Sequence, residues 1–328
     1  MTTISLVVPM YNEEDVCAEF FNTVTPILED ASDAYEIICV DDGSTDRTLE
    51  CLRDARESNP SIKIISLSRN FGKEAAMTAG IDFASGDAVI PIDADLQDPP
   101  ELIVEMVKRW SNGAQVVLAR RVDRASDSML KRTTSRLFYR IFSRVAQPAI
   151  PENIGDFRLM DRVVVNALKQ LPERARFMKG LFAWVGFETE IIDYTRARRS
   201  AGQTKFNYWK LWNFGLEGIT SFTSMPLKIW SYFGVLVSLV GVFYMIFLII
   251  KTMLTGIDSP GYASLMSVQL FFNGILLISL GAIGEYLSRI FIETKRRPIY
   301  LVGKSEGLNI ENNSHAGAQS IEAEHANN

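Results

Sequence analysis

Residues 93–100 read DADLQDPP and directly follow the apolar run GDAVIPI (86–92). A buried strand thus runs into two aspartates one residue apart, then a glutamine, a third aspartate and two prolines. On a regular strand side chains alternate between faces, so Asp93 and Asp95 would share one side. Negative charge concentrated at the mouth of a strand points to a hard cation. Magnesium is commonly held by one or two carboxylates together with substrate phosphates. Asp93 and Asp95 are therefore the candidate metal ligands, with Gln97 able to add a carbonyl oxygen. Asp98 equally suits the cap of the helix that the two prolines announce.

The flanking sequence repeats the same grammar. ISLVVPMY (4–11), YEIICVDDGSTD (35–46), IKIISLS (62–68) and AQVVLARR (114–121) are β-rich runs ended by polar or turn residues. Between them, residues 12–29, 44–57, 73–85 and 99–110 carry helical apolar spacing or helix-start signals. Strands alternating with helices predict an α/β domain with a mainly parallel sheet covered on both faces. Ligands in such sheets bind beyond the carboxyl ends of the strands. Three strand ends carry Tyr11-Asn12-Glu13, Asp41-Asp42 and Asp93-Asp95, so polar groups from separate strands converge on one crevice. Neither GxGxxG nor GxxxxGK[ST] occurs, which argues against a common dinucleotide fold and a P-loop.

The 328 residues are 47% hydrophobic and 22% charged, with a net charge of −5 that gives no sign of nucleic-acid binding. The averages hide a division. Ile229–Ile250 and Gly261–Gly284 contain no charged residue, and about 20 apolar residues cross a bilayer. Two transmembrane helices, 229–251 and 262–287, are expected; a pair of buried core helices is the alternative. Basic residues favour the cytoplasmic side. Arg289, Lys295, Arg296 and Arg297 after the second run, and a start without a signal peptide, predict a hairpin in the inner (plasma) membrane with both ends cytosolic.

Before the spans lie two basic segments. Residues 126–146 form a candidate amphipathic helix with Leu130, Leu137, Phe138, Ile141 and Phe142 on one side and Lys131, Arg132, Arg136, Arg140 and Arg144 on the other. Residues 208–228, led by Tyr208, Trp209 and Trp212, suit an interfacial helix. The expected organisation is a cytosolic domain over 1–207, the interfacial helix, the hairpin, and a cytosolic tail over 288–328 that is disordered after about residue 303. The interfacial helices and hairpin also offer surfaces for a homo-oligomer. Cys17, Cys39 and Cys51 show no paired spacing and are expected as reduced thiols.

VVPMYNEE, VDDGSTDRT, RNFGKEAAMTAGID, DADLQDPP, GDFRLM and RSAGQTKFN, in that order, resemble the family 2 glycosyltransferases. More narrowly they are similar to the polyprenyl-phosphate branch, near the dolichol-phosphate mannose synthases and the bactoprenol glucosyltransferases. The resemblance implies a nucleotide-sugar-binding (GT-A type) domain, a Mg²⁺ or Mn²⁺ cofactor, a nucleotide sugar as donor and a polyprenyl phosphate in the lipid bilayer as acceptor. It implies that Pro9, Tyr11, Glu13, Val40, Asp41, Asp42, Asp93 and Ala94 cradle the nucleotide sugar, with Lys179 a further contact. It implies a metal on Asp93, Asp95 and Gln97. Arg120, Lys131, Arg132, Ser135 and Arg199 would hold the lipid phosphate. Asp156 would be the acceptor-side acid, acting with Asp95, and Arg199 and Lys205 would close over the phosphates on a loop freed by Gly202. UDP-glucose and undecaprenyl phosphate are the favoured substrates, with GDP-mannose and UDP-GlcNAc as other donors. A processive polysaccharide synthase is disfavoured because Arg109-Trp110 lacks the glutamine of QxxRW. A non-catalytic scaffold or flippase component would leave the crevice acids without a task.

Overall fold

The computed structural model describes residues 2–122, 154–174, 176, 178–195, 225–255 and 261–308. Five strands follow the predicted rhythm: β1 (Thr3–Met10), β2 (Ala34–Asp41), β3 (Ile62–Leu67), β4 (Ala88–Pro91) and β5 (Val116–Arg121). They alternate with α1 (Cys17–Ala31), α2 (Thr48–Ser58), α3 (Lys73–Phe83) and α4 (Leu102–Ser111). Three later strands were not expected: β6 (Ile154–Asp161), β7 (Thr189–Tyr194) and β8 (Val302–Glu306). The remaining helices are α5 (Arg162–Lys169), α6 (Met178–Trp184), α7 (Met225–Thr255) and α8 (Tyr262–Thr294).

The strand order is β7-β5-β6-β4-β1-β2-β3-β8. The β1–β2, β1–β4, β2–β3 and β5–β7 pairings are parallel. β6 enters antiparallel between β4 and β5, so the sheet is parallel at its centre and mixed outward. Ile4, Leu6, Val7 and Val8 of β1 are all fully buried, as a strand covered on both faces requires. Pro9 sits past Val7, the last β1 residue paired with β4. Its missing N–H therefore falls where that neighbour has already left the sheet.

Helix α3 lies unusually close to the sheet. A Cβ on Gly80 would stand 2.2 Å from Val7 Cγ1 and 3.2 Å from Val40 Cγ2. Below it, Glu36 is buried on β2 and accepts hydrogen bonds from Ser5 Oγ, Ser85 N and Lys63 Nζ. A buried carboxylate is tolerable only when paired and hydrogen-bonded in this way.

Several expectations need correction. The fourth strand ends at Pro91, so Asp93 and Asp95 lie in a turn beyond it, and strand alternation does not set their directions. Leu96 adopts a left-handed φ of 51° in that turn. Helix α4 starts at Leu102, led in by the carbonyls of Pro99 and Pro100, and Tyr194 Oη of β7 donates to Asp98. Cys17 and Cys51 form a disulfide between α1 and α2, leaving Cys39 as a free buried thiol. Spacing alone gave no hint of this pairing, because βαβ winding brings the two helices together. The chain after residue 303 also begins ordered: β8 pairs antiparallel with β3.

The two expected spans are helical, and α7 starts at Met225, inside the predicted interfacial helix. Among the described residues one segment, Phe271–Thr294, is long and apolar enough to cross a membrane, and none of it is buried. The 126–146 helix, residues 208–224 of the interfacial helix, and Lys131, Arg132, Ser135, Arg199, Gly202 and Lys205 lie outside the described residues.

Candidate active site

The ends of β1 and β2 are laced together before any chemistry begins. Asn12, in a left-handed turn with φ 55°, accepts from Thr45 N at 2.8 Å, while its own N–H donates to Ser44 Oγ at 3.0 Å. The Glu13 N–H donates to Thr48 Oγ1 at 2.8 Å. Tyr11 remains 44% exposed at the rim, an accessible flat ring. Val40 and Ala94 are buried, and the Val40 side chain packs beneath α3 rather than facing the rim.

Asp41 and Asp42 are spent inside the protein. Asp41 accepts from Ser44 N and Ser66 Oγ, each at 3.0 Å. Asp42 accepts from Phe71 N at 2.7 Å and Gly72 N at 2.8 Å. Burial raises the Asp42 carboxyl, and the two backbone donors oppose that rise. Gly72 takes φ 99°, a conformation open essentially to glycine, and it is the residue that turns the chain into α3. Asp42 thereby fixes the loop that presents the first helical residue, Lys73.

Lys73 joins the two acids assigned to opposite sides of the reaction. Its Nζ lies 2.7 Å from Asp93 Oδ1 and 2.8 Å from Asp156 Oδ2. Burial works against the ammonium, but Asp156 and Asp93 outweigh it and push its pKa up. Asp156 is brought here by β6, which explains why that strand matters. Burial raises the Asp156 carboxyl, yet Lys73, Lys179 and Arg158 together hold it below its ordinary value. Its Oδ1 is buried with no hydrogen-bond partner among the described residues.

Around this centre are three charged groups that motif spacing did not single out: Lys73 itself, Glu74 and Arg158. Glu74, next to Lys73, accepts from Met178 N at 3.3 Å. Burial and the nearby Asp156 push its pKa up to about 7. Arg158 is buried on β6, stacks 4.0 Å from the Phe182 ring centroid and donates to the Gly155 carbonyl at 2.7 Å. Burial lowers its pKa to about 10. A lone arginine inside an apolar strand, and a glycine before a lysine at a helix start, were the available signals. Lys179 on α6 contributes its charge to the same cluster.

Arg120, expected as a phosphate ligand, has a carboxylate partner on β7. Its guanidinium forks onto Asp193 of β7, with Nε and Nη2 at 2.6 and 2.9 Å from the two carboxylate oxygens. A parallel neighbouring strand supplied a partner that linear sequence does not reveal.

The donor set suits a hard divalent ion. Among the described residues no three His, Cys, Asp or Glu side chains cluster tightly enough to hold a metal alone. Asp93 and Asp95 share one turn, and Asp93 already draws a cation, the Lys73 ammonium. Two carboxylates completed by substrate phosphates is a pattern that fits Mg²⁺ or Mn²⁺. Gln97 is buried, its N–H donates to Asp95 Oδ1 at 3.2 Å, and its Nε2 has no partner among the described residues.

Comparison with known proteins agrees with this architecture. The profile of glycosyl transferase family 2 matches residues 5–169, and that of the GtrB C-terminal hairpin matches residues 225–290. An uncharacterized glycosyltransferase of Synechocystis sp. is 56% identical over 305 residues, covering 93% of this chain and 96% of its own. A prophage-derived bactoprenol glucosyl transferase of Shigella flexneri is 49% identical over 302 residues, covering 92% and 98%. Among solved structures, glucosyl-3-phosphoglycerate synthase of Mycobacterium tuberculosis, in complex with Mn²⁺, UDP and phosphoglyceric acid, shares the fold. It has a TM-score of 0.50 and 22% identity over 67% of this chain and 76% of that one. The chain belongs to glycosyl transferase family 2 and carries the GtrB C-terminal hairpin.

Proposed function

We propose that the protein transfers glucose from UDP-glucose to the phosphate of a membrane polyprenol, undecaprenyl phosphate, with inversion at the anomeric carbon. The observation that carries this reading is the single ammonium of Lys73 touching both Asp93 and Asp156. It supports a donor side and an acceptor side that meet in one crevice. The likeness to bactoprenol glucosyl transferases over nearly the whole chain supports the same acceptor class.

In the reaction a phosphate oxygen of the acceptor forms a bond to C1 of glucose. The bond from C1 to the nucleotide diphosphate breaks, and its electron pair leaves with UDP. A divalent ion on Asp93 and Asp95 would supply neutralisation of the leaving diphosphate. The residues themselves bind and orient. Tyr11 offers a face to the base, and the Asn12–Thr45 and Asp42–Gly72 contacts hold the two loops rigid. Asp156 orients the acceptor through the cations it holds, pairing with Lys73 and standing beside Lys179 and Arg158. A phosphate monoester has a second pKa of about 6 and is largely dianionic at neutral pH, so it scarcely needs a base. Arg199 and Lys205 close over the phosphates and exclude water that would hydrolyse the donor. Lys131, Arg132 and Ser135 meet the lipid phosphate. Helices α7 and α8 set the domain at the inner membrane with both ends in the cytosol.

The test uses the purified full chain with Mn²⁺, undecaprenyl phosphate and a panel of radiolabelled nucleotide sugars. Label from UDP-glucose should enter the organic phase and disappear with Asp95→Ala. Label from GDP-mannose or UDP-GlcNAc alone would replace the donor assignment. No lipid label from any donor would overturn the transferase reading of this crevice.

A further inference from the structure

Lys73 has a place in the crevice but no task in the reaction as described. Its position is built rather than incidental. Asp42 grips the two N–H groups that precede it, and Gly72 at φ 99° turns the chain so that Lys73 opens α3. The side chain is 44% exposed, against 35% for Asp93 and 17% for Asp156, so a ligand entering from solvent can reach it. Its ammonium stands on an oxygen of Asp93, one of the two carboxylates assigned to the metal.

We propose that Lys73 is an internal counter-cation that couples metal binding to nucleotide binding, an inference resting on the assignment of Asp93 and Asp95 to the metal. Without a nucleotide, a divalent ion must displace the ammonium from Asp93, and the displaced charge gains no new partner. A nucleoside diphosphate changes this balance. It brings anionic oxygens to the metal and also gives the displaced ammonium an acceptor, while Lys73 keeps its contact with Asp156. Metal and diphosphate therefore favour one another through this residue, and such coupling is reciprocal by linkage. The physical benefit is order of assembly: the acids stay compensated and apart from stray cations until the donor arrives with its own charge. Lys73 is a positioning residue in this scheme, acting through Asp93 and Asp156.

The experiment measures Mn²⁺ binding to the full chain in detergent from the free-ion electron paramagnetic resonance signal, with and without UDP. The wild type should bind Mn²⁺ weakly alone and more tightly with UDP. Lys73→Met should bind Mn²⁺ alone on the order of tenfold more tightly, since an opposing charge beside a carboxylate is removed. The enhancement by UDP should shrink by a similar factor. Lys73→Arg should keep the wild-type pattern. Lys73→Gln provides the same readout should the methionine variant fold poorly. Folded Met and Gln variants that bind Mn²⁺ alone no better than wild type, with UDP enhancement intact, overturn the coupling while leaving the metal assignment standing. A wild type that binds no Mn²⁺ even with UDP overturns both.

Discussion

Asp156 separates two chemical roles that its position alone would allow. Its carboxyl is held below the ordinary value by Lys73, Lys179 and Arg158 against the opposing effect of burial, so it is ionised across the working range. If it orients a dianionic acceptor, Asp156→Asn should lower the transfer rate about a hundredfold or more, and raising the pH from 7 to 9 should not restore it. Full rescue at high pH would favour a proton-abstracting role. Glu74 gives a pH signature of its own. Its folded pKa is raised to about 7, from burial first and then Asp156. An acid with a raised folded pKa stabilises the fold below its unfolded value, and that stabilisation is lost as the pH climbs through about 7. Denaturant titrations should show the wild type losing on the order of 2 kcal/mol more than Glu74→Gln between pH 5 and 8. Identical pH profiles for the two would remove Glu74 from this account. Asp156 stood out in the linear sequence only by its motif and Glu74 not at all, because what shifts them is burial and neighbours from α3, β6 and α6.

At the scale of elements, the α3–β1 contact is the one that the chain can least alter. Gly80 lets the helix settle against Val7 and Val40, and α3 is also the element that carries Lys73 and Glu74. Gly80→Ala should cost about 1–3 kcal/mol by overpacking. Val7→Ala in the same chain should recover part of that loss, since it removes the atom 2.2 Å from the added Cβ. A double variant no more stable than Gly80→Ala alone would place the strain elsewhere. β6 is one of the three strands that sequence patterning missed. In GDFRLM, Asp156 and Arg158 alternate with Phe157 and Leu159 as in a strand, but the run is short and lacks the apolar continuity of the central buried strands. Its place between β4 and β5 follows from pairing partners far away in sequence.

For the whole molecule, the decisive feature is how the apolar helices are tied to the sheet. After α8 the chain returns to the sheet, where Tyr300 Oη donates to Asp82 at 2.9 Å and β8 completes the edge at β3. Arg174 N also donates to Glu293 Oε1 near the end of α8 at 2.9 Å. Tyr300→Phe should therefore destabilise the domain by about 1 kcal/mol, because one hydrogen bond to the half-buried Asp82 is lost. Thermal unfolding of the two chains would show it. The exposed apolar surface of α7 and α8, including Phe243, Leu254 and Leu277, is too large for a water-facing surface. An alkaline carbonate wash should leave the protein with the membrane pellet. Release into the supernatant would count against a spanning hairpin.

Sequence by itself determined the alternation of strands and helices, the acidic strand ends and the uncharged helical runs. Each is local: a period of two or 3.6, a turn residue, or a length matched to a bilayer. It also brought Asp93 and Asp156 to notice through motifs. Tertiary structure alone decided that these acids share one ammonium, that Arg120 is taken by Asp193, that Cys17 meets Cys51, and that the tail returns as β8. Those outcomes depend on which distant segments become neighbours. Charge pairing acts over a few ångströms of space, whatever the separation along the chain.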